Sequence, residues 1–245
     1  MLTTRHERLA AAHLYLLCED IDGARLHAAL RGGVDMVELL EPAALAQRPH
    51  AAADTPDGSP SAALPEVVAQ ALNTPAAGQE SPEDRLLAAA ARLLPICRSH
   101  NALLMLNNRP ELVRAAEADG VHIDRPGIDI QAARAMIGPD RLLGVSATTP
   151  QQVDAAQRLP IDYFSVGLVH RSATRPNLPV AGHAIITYAA SHSQLPFFAV
   201  GGVKPHNTSA IAAAGGRRIA VSQAITEATD PERQATLLRG SICSE

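Results

Sequence analysis

"PFFAVGGVKPHNTSAIAAAGGRRIAVSQAI", residues 196–225, reads as two apolar runs on either side of a stretch with helical spacing. The first run leaves into the pair Gly201 and Gly202, "HNTSAIAAAGG" ends in a second glycine pair, and "RRIAVSQAI" follows as the next run. Strand, helix, strand is the unit that joins parallel neighbours, because parallel pairing needs a crossover of about this length.

The same alternation extends back through the chain. Six further apolar runs bounded by turn residues are "LYLLCED" from Leu14, "VDMVELLE" from Val34, "ALLMLNN" from Ala102, "GVHID" from Gly120, "LLGVSA" from Leu142 and "DYFSVGLV" from Asp162. Between them lie "GARLHAALRGG", "DRLLAAAARLLPICRSH", "RPELVRAAEADG", "DIQAARAMIG", "TPQQVDAAQRL" and "AGHAIITYAAS", all with helical spacing. Several of these end in glycine or begin beside Asp, Thr or Pro, as helix caps do. The count of eight strands decides between a doubly wound open sheet and a closed (β/α)8 TIM barrel. It favours one barrel over residues 1–245.

Residues 47–82 break the rhythm with six prolines and no Phe, Tyr or Trp. Such a composition buries too little apolar surface to offset the entropy of ordering. It predicts a disordered insertion in the loop after the second strand, on the face where barrel sites form, with short helical character at "PEVVAQAL".

Composition narrows the function. Of the 245 residues 47% are hydrophobic, yet only three are Phe, three Tyr and none Trp, which predicts a core of Ala, Leu, Val and Ile. Stacking platforms for bases are scarce, and a net charge of −4 carries no basic footprint, so nucleic acid is excluded in favour of a small polar ligand. Cys18, Cys97 and Cys243 are odd in number and lack CxxC spacing, which fits a reduced, cytoplasmic protein with no cysteine metal site. In "MLTTRHERLAAAHLYLLCED" the apolar run is interrupted by His13 and closed by Glu19 and Asp20, so neither a signal peptide nor a membrane span is expected.

In a barrel the C-terminal strand ends meet at one mouth. The polar residues placed there include Glu38, Glu41, Asn107, Asn108, Arg109, Asp124, Ser146, Thr148, Thr149, Ser172, Thr174, Arg175, Lys204 and Ser222. "FFAVGGVKPHN" is the strongest local signal, since two glycines admit a ligand close to the backbone and the next helix start offers N–H groups to an anion. Lys204, the only lysine of the chain, adds a charge there. The same glycines also fit a plain turn before a helix capped near Asn207. "VHRSATRPN" offers hydroxyls and an arginine fork for an anion, or is a solvated loop. Glu38 and Glu41 suit acid–base work or solvent. Asp124, Arg125 and Asp129 read first as a turn and helix cap, and His122 as a satisfied core histidine. HExxH, GxSxG, Walker and GxGxxG patterns are absent from the sequence.

Taken in order, these pieces resemble the thiamine-phosphate synthase family, including its thiazole tautomerase branch, over nearly the whole chain apart from the insertion. "LYLLCED" is similar to the family's "LYLITD", "LNNR" to its INDR, "ADGVHID" to "ADGVHLGQ", and "DYFSVGLVH" to "DYIGVGPVF". Gly144 to Ser146 match its "GVS" strand; "RGGVDMVEL", "FAVGGV" with Asn207, and "AGGRRIAVSQAI" complete the series. The resemblance implies condensation of hydroxymethylpyrimidine diphosphate with hydroxyethylthiazole phosphate. Mg²⁺ and cations would stabilise the leaving diphosphate while the thiazole nitrogen captures a pyrimidine carbocation.

Carried over position by position, the resemblance implies substrate binding by Glu38, Asn107, Asn108, Arg109, Thr174 and Arg175, with Ser146 and Arg175 as the groups for catalysis. Gly201, Gly202, Lys204, Ser222 and Gln223 would hold phosphate. Several matches depart from the pattern. Glu38, Leu39, Leu40, Glu41 and Pro42 stand where the family has QLRxK, so two diphosphate-binding cations are missing. The two magnesium aspartates fall on Asn108 and Gly127, the Thr-x-Thr-Lys loop on Ser172, Ala173, Thr174 and Arg175, and the tautomerase histidine on Thr148. The family's phosphate-binding serine falls on Gln223, beside Ser222. No metal ligand and no cofactor is therefore expected. Two functions follow: a transferase of thiamin biosynthesis working with altered groups, or a barrel that binds a small phosphorylated ligand as a sensor or partner subunit. A homo-oligomer is compatible with either, and neither involves nucleic acid or membrane.

Overall fold

In the computed structural model, which describes residues 4–40, 81–172 and 177–243, each of the eight apolar runs contains a strand. These are β1 (Leu14–Cys18), β2 (Met36–Leu39), β3 (Leu103–Asn107), β4 (Gly120–Ile123), β5 (Leu142–Ala147), β6 (Tyr163–Gly167), β7 (Phe197–Val200) and β8 (Ile219–Val221). Every strand pairs in parallel with the next, and β8 returns to β1 with Leu14 opposite Ile219, so the barrel is closed. Closure removes the edges that would otherwise expose unpaired N–H and C=O groups. Around it lie α1 (Arg5–Ala11), α2 (Gly23–Arg31), α3 (Pro82–Ser99), α4 (Ile130–Ile137), α5 (Pro150–Ala156), α6 (Ala184–His192), α7 (Thr208–Ala213), α8 (Gln223–Thr226) and α9 (Pro231–Cys243).

Alternation along the strands divides the apolar side chains into two cores. The outer one, between strands and helices, is built from Ala, Leu, Val and Ile almost throughout, as composition predicts. The barrel interior differs: Tyr15, Tyr163 and Phe198 fill it together with Met36, Met105 and Leu142. Gly144 makes room for them, because a Cβ there would lie 2.3 Å from the Tyr163 ring. Leu9 of α1 and Ala12 just after it pack into the same cluster and close the N-terminal end of the barrel.

Three carboxylates brace that closed end. Asp35, Asp119 and Asp162 immediately precede β2, β4 and β6, and each accepts backbone N–H groups from the preceding odd strand. Asp119 accepts from Leu104 N–H at 3.0 Å and from Arg5 and Arg8 of α1 at 2.8 and 2.9 Å. Asp162 takes Leu143 N–H at 2.7 Å and Arg134 at 2.6 Å, and Asp35 pairs with Arg239 of α9.

The structure adds to or differs from the sequence expectations in several places. "RPELVRAAEADG" forms a 3₁₀ turn, Pro110–Leu112, followed by irregular turns and not a helix. There Ala118 N–H bonds back to Val113, and Glu117 takes a φ of +50°, so the helical repeat is broken. The eighth run stops at Val221, and residues beyond it start the short α8. The segment 47–82 lies outside the described residues except for its last two, Ser81 and Pro82, which begin α3. Ser81 Oγ accepts from Asp84 N–H at 3.0 Å, a cap that starts this helix before the "DRLL" expected. Finally, α1 and α9 are helices that the strand–helix alternation does not include: α1, begun by a capping box of Thr4 and Glu7, closes the barrel floor with Leu9, and α9 packs outside it through Ala235, Leu238 and Ile242.

Cys18 and Cys97 are buried and Cys243 is exposed, all three as free thiols. Burial pushes the Cys97 thiol up to about 12 and raises Cys18 as well. Since the thiolate is the nucleophile, alkylation of native protein at mildly alkaline pH is expected to modify Cys243 alone. Mass spectrometry with and without denaturant checks this.

Candidate functional site

The open end of the barrel holds a cavity of about 380 Å³. The loop after β7 lines it with Gly201, Gly202, Val203 and Lys204, and the chain after β8 with Ser222, Gln223 and Ala224. Arg171 and Ser172, following β6, face it from a third side, while Glu19, Asp20 and Glu227 lie on its rim. All five residues expected to hold phosphate are thus brought together.

The glycine pair takes positive φ values, +103° and +60°. A Cβ on Gly202 would lie 2.2 Å from the Arg171 carbonyl oxygen, and one on Gly201 2.8 Å from Leu168 Cα, so this loop is pressed against the exit of β6. Asn207 holds it there. Its amide oxygen accepts from Lys204 N–H at 2.9 Å, and its amide nitrogen donates to the Gly202 carbonyl at 3.0 Å. The expectation of a helix capped by Asn207 is corrected: its side chain makes no cap bond, and α7 starts behind a 3₁₀ turn, Pro205–Asn207. Backbone groups on the cavity wall come from the loops themselves. Gln223 donates its amide to Glu227 at 2.7 Å, which leaves Ser222 as the neighbouring hydroxyl on the cavity wall.

A smaller recess continues inward, sharing Leu17, Leu40, Val200 and Ala220 with the outer cavity. Its polar wall is Tyr15, Glu38, His122, Asp124, Ser146 and Ser165. His122 is buried, as expected of a core histidine, but it faces this recess, with Nε2 at 3.1 Å from Ser146 Oγ. Ser146 and Ser165 hydroxyls are 3.1 Å apart, and those of Tyr15 and Tyr163 3.2 Å. Burial pushes both phenols well above their ordinary range, and the Glu38 carboxylate adds to the shift. Ser165 and Tyr15 escaped the sequence reading. The signal was available in strand alternation, since each points inward on its strand.

Behind the recess runs a chain of buried polar groups. Asn107 donates to Glu38 Oε1 at 2.7 Å, and Asn108 donates to Asn107 Oδ1 at 2.8 Å and to Asp124 Oδ1 at 2.7 Å. The Asn108 oxygen accepts from Asp124 and Arg125 N–H at 2.9 and 3.0 Å. Asn108 also adopts φ +57°, a conformation asparagine tolerates. Arg109 is turned aside, held by Glu83 of α3 and by Glu111. Thr174, Arg175, Glu41 and Pro42 lie outside the described residues.

These groups do not fit the Mg²⁺ of the resembled family. That ion takes oxygen ligands, usually one or two carboxylates. Here both lone pairs of the Asn108 oxygen already accept N–H groups, its nitrogen points at Asp124, and Gly127 has no side chain. Among the described residues no group of three His, Cys, Asp or Glu is placed to hold a metal ion. Asn108→Asp would set one carboxylate against another at this contact. It is expected to cost about 2–3 kcal/mol of stability, and thermal denaturation with and without Mg²⁺ will show whether the ion restores part of it. An unchanged melting temperature without Mg²⁺ would contradict this account of Asn108.

The family model described as thiamine monophosphate synthase matches residues 14–225. Thiamine-phosphate synthase of Thermobifida fusca (strain YX) is 34% identical over 244 residues, which are 96% of this chain and 94% of that protein. Thiamine-phosphate synthase of Parasynechococcus marenigrum (strain WH8102) is 40% identical over 156 residues, 64% of this chain and 45% of that protein. The chain therefore spans less than half the length of that relative. Among solved structures, thiamine phosphate pyrophosphorylase from Pyrococcus furiosus shares the fold with a TM-score of 0.71 at 18% identity, covering 96% of each chain. For 3-hexulose-6-phosphate synthase from Salmonella typhimurium the TM-score is 0.61 at 13% identity, covering 94% of this chain and 98% of that one.

Proposed function

Because this chain belongs to the thiamine monophosphate synthase family, we propose that it acts in thiamin biosynthesis as a thiamine-phosphate-synthase-type protein. Its outer cavity would hold the phosphate of hydroxyethylthiazole phosphate between the β7 and β8 loops. The supporting observation is the convergence of Gly201, Gly202, Lys204 and Ser222 on one cavity. Glycine backbone, a hydroxyl and an ammonium are the groups that suit a phosphate at this end of a (β/α)8 barrel. The inner recess, with Glu38, Ser146 and His122 on its wall, is then the place for the heterocycles. We assign the protein to the cytoplasm, in keeping with its three free thiols. No helix among the described residues is long and apolar enough to cross a membrane.

Calorimetry with hydroxyethylthiazole phosphate and with the unphosphorylated alcohol tests the binding half of this reading. Tight binding that requires the phosphate is expected; equal affinities would overturn the phosphate site. Release of pyrophosphate on adding hydroxymethylpyrimidine diphosphate tests the transfer half.

The hydrogen bonding of Asn108 favours a second reading, in which the barrel binds the phosphorylated ligand without transferring anything to it. Removing one preorganised charge stabiliser commonly costs about 10²–10³ in rate. Pyrophosphate release well above the uncatalysed rate would sink it.

A further inference from the structure

Two histidine pairs lie outside the recess, and they differ in geometry. His27 Nδ1 and His100 Nε2 are 3.0 Å apart with ring centroids at 5.2 Å. His170 and His183 approach Nε2 to Nε2 at 3.3 Å, yet their centroids are only 4.9 Å apart, with the rings at 83°. A longer nitrogen separation combined with a shorter centroid separation means that these two nitrogens do not meet head-on. Both pairs are within hydrogen-bond reach, and the angled approach of the second is compatible with two nitrogens on one ion.

We propose that His170 and His183 bind a divalent transition-metal ion of the zinc, nickel or copper(II) class through their Nε2 atoms. Two imidazoles on one tetrahedral zinc, each at about 2.0–2.1 Å, have nitrogens roughly 3.3–3.4 Å apart, and the pair is already at 3.3 Å. Backbone bonds hold both ends in place. His170 N–H donates to Gly201, and Ala181 and Gly182 N–H groups donate to Leu168, which brings the start of α6 beside the exit of β6. Ligands fixed in this way by their scaffold lose little freedom on binding. A histidine is largely neutral at neutral pH, so an imidazole lone pair is available to a metal there. No third His, Cys, Asp or Glu among the described residues completes the set. Solvent would fill the remaining positions, and the ion would tie the two ends of the β6–α6 connection beside the glycine loop.

The test is calorimetry of full-length, metal-stripped protein with Zn²⁺ at neutral pH, after alkylation of Cys243. One ion per chain is expected, with His170→Gln and His183→Gln each weakening it at least about tenfold. Electron paramagnetic resonance of the Cu²⁺ form should show two imidazole nitrogens in the parent and one in each variant. Circular dichroism establishes that both variants are folded. Absence of binding at millimolar zinc would overturn the assignment, as would an affinity and nitrogen count unchanged in both variants.

Discussion

Gly202→Ala is expected to weaken binding of the phosphorylated ligand by about 100-fold while the barrel stays folded. The added methyl would stand 2.2 Å from the Arg171 carbonyl oxygen and 2.9 Å from His170 Cβ. Both belong to the exit of β6, which cannot retreat without disturbing the bond from His170 N–H to Gly201. The left-handed φ of +60° adds strain of roughly 1–2 kcal/mol for a residue with a side chain. The loop will move instead, and a misplacement of about 1 Å is enough for a loss of this size. Calorimetry with hydroxyethylthiazole phosphate measures it. An affinity within a few-fold of the parent would mean that the glycine loop does not carry the phosphate.

The largest loss of stability is expected at the opposite end, from Asp119→Ala. This carboxylate joins Leu104 N–H to Arg5 and Arg8, and it is 8% exposed against 30% and 16% for the two arginines. Removing it leaves a buried backbone donor and two cations without their anion. Breaking such a buried pair costs about 3–5 kcal/mol; the partial exposure of the arginines places this case near 3 kcal/mol. For a chain of this size that corresponds to a fall of roughly 6–12 °C in melting temperature. Urea denaturation checks the free energy, and ligand affinity should be unchanged because the site is at the other end.

The barrel was legible because parallel strands covered on both faces read as continuous apolar runs, and "LLMLN" and "FFAV" are such runs. The Gly201–Gly202 turn was legible because two glycines after a strand mark a backbone that leaves the allowed range of other residues, and both take positive φ. Partners were not. Asn207 looks like a helix cap in sequence, and only its two bonds to the glycine loop reveal its task. Asn108 could be read as an amide where the resembled pattern has an aspartate, whereas its role as a double donor depends on where Asp124 falls in space. Val113 and Ala116 have helical spacing, yet Glu117 and Asn108 turn with positive φ, a choice that apolar periodicity does not encode. The aromatic filling of the barrel interior by Tyr15, Tyr163 and Phe198 was not foreseen from composition, because inner and outer faces of a closed barrel are both apolar.

Leu9 and Ala12, sealing the barrel floor beneath Tyr15, Tyr163 and Phe198, make the inner recess a dead end on that side. A ligand seated over the two tyrosines would therefore have to enter from the C-terminal ends of the strands. The short helix that braces the fold at one end thus fixes which end is left for chemistry.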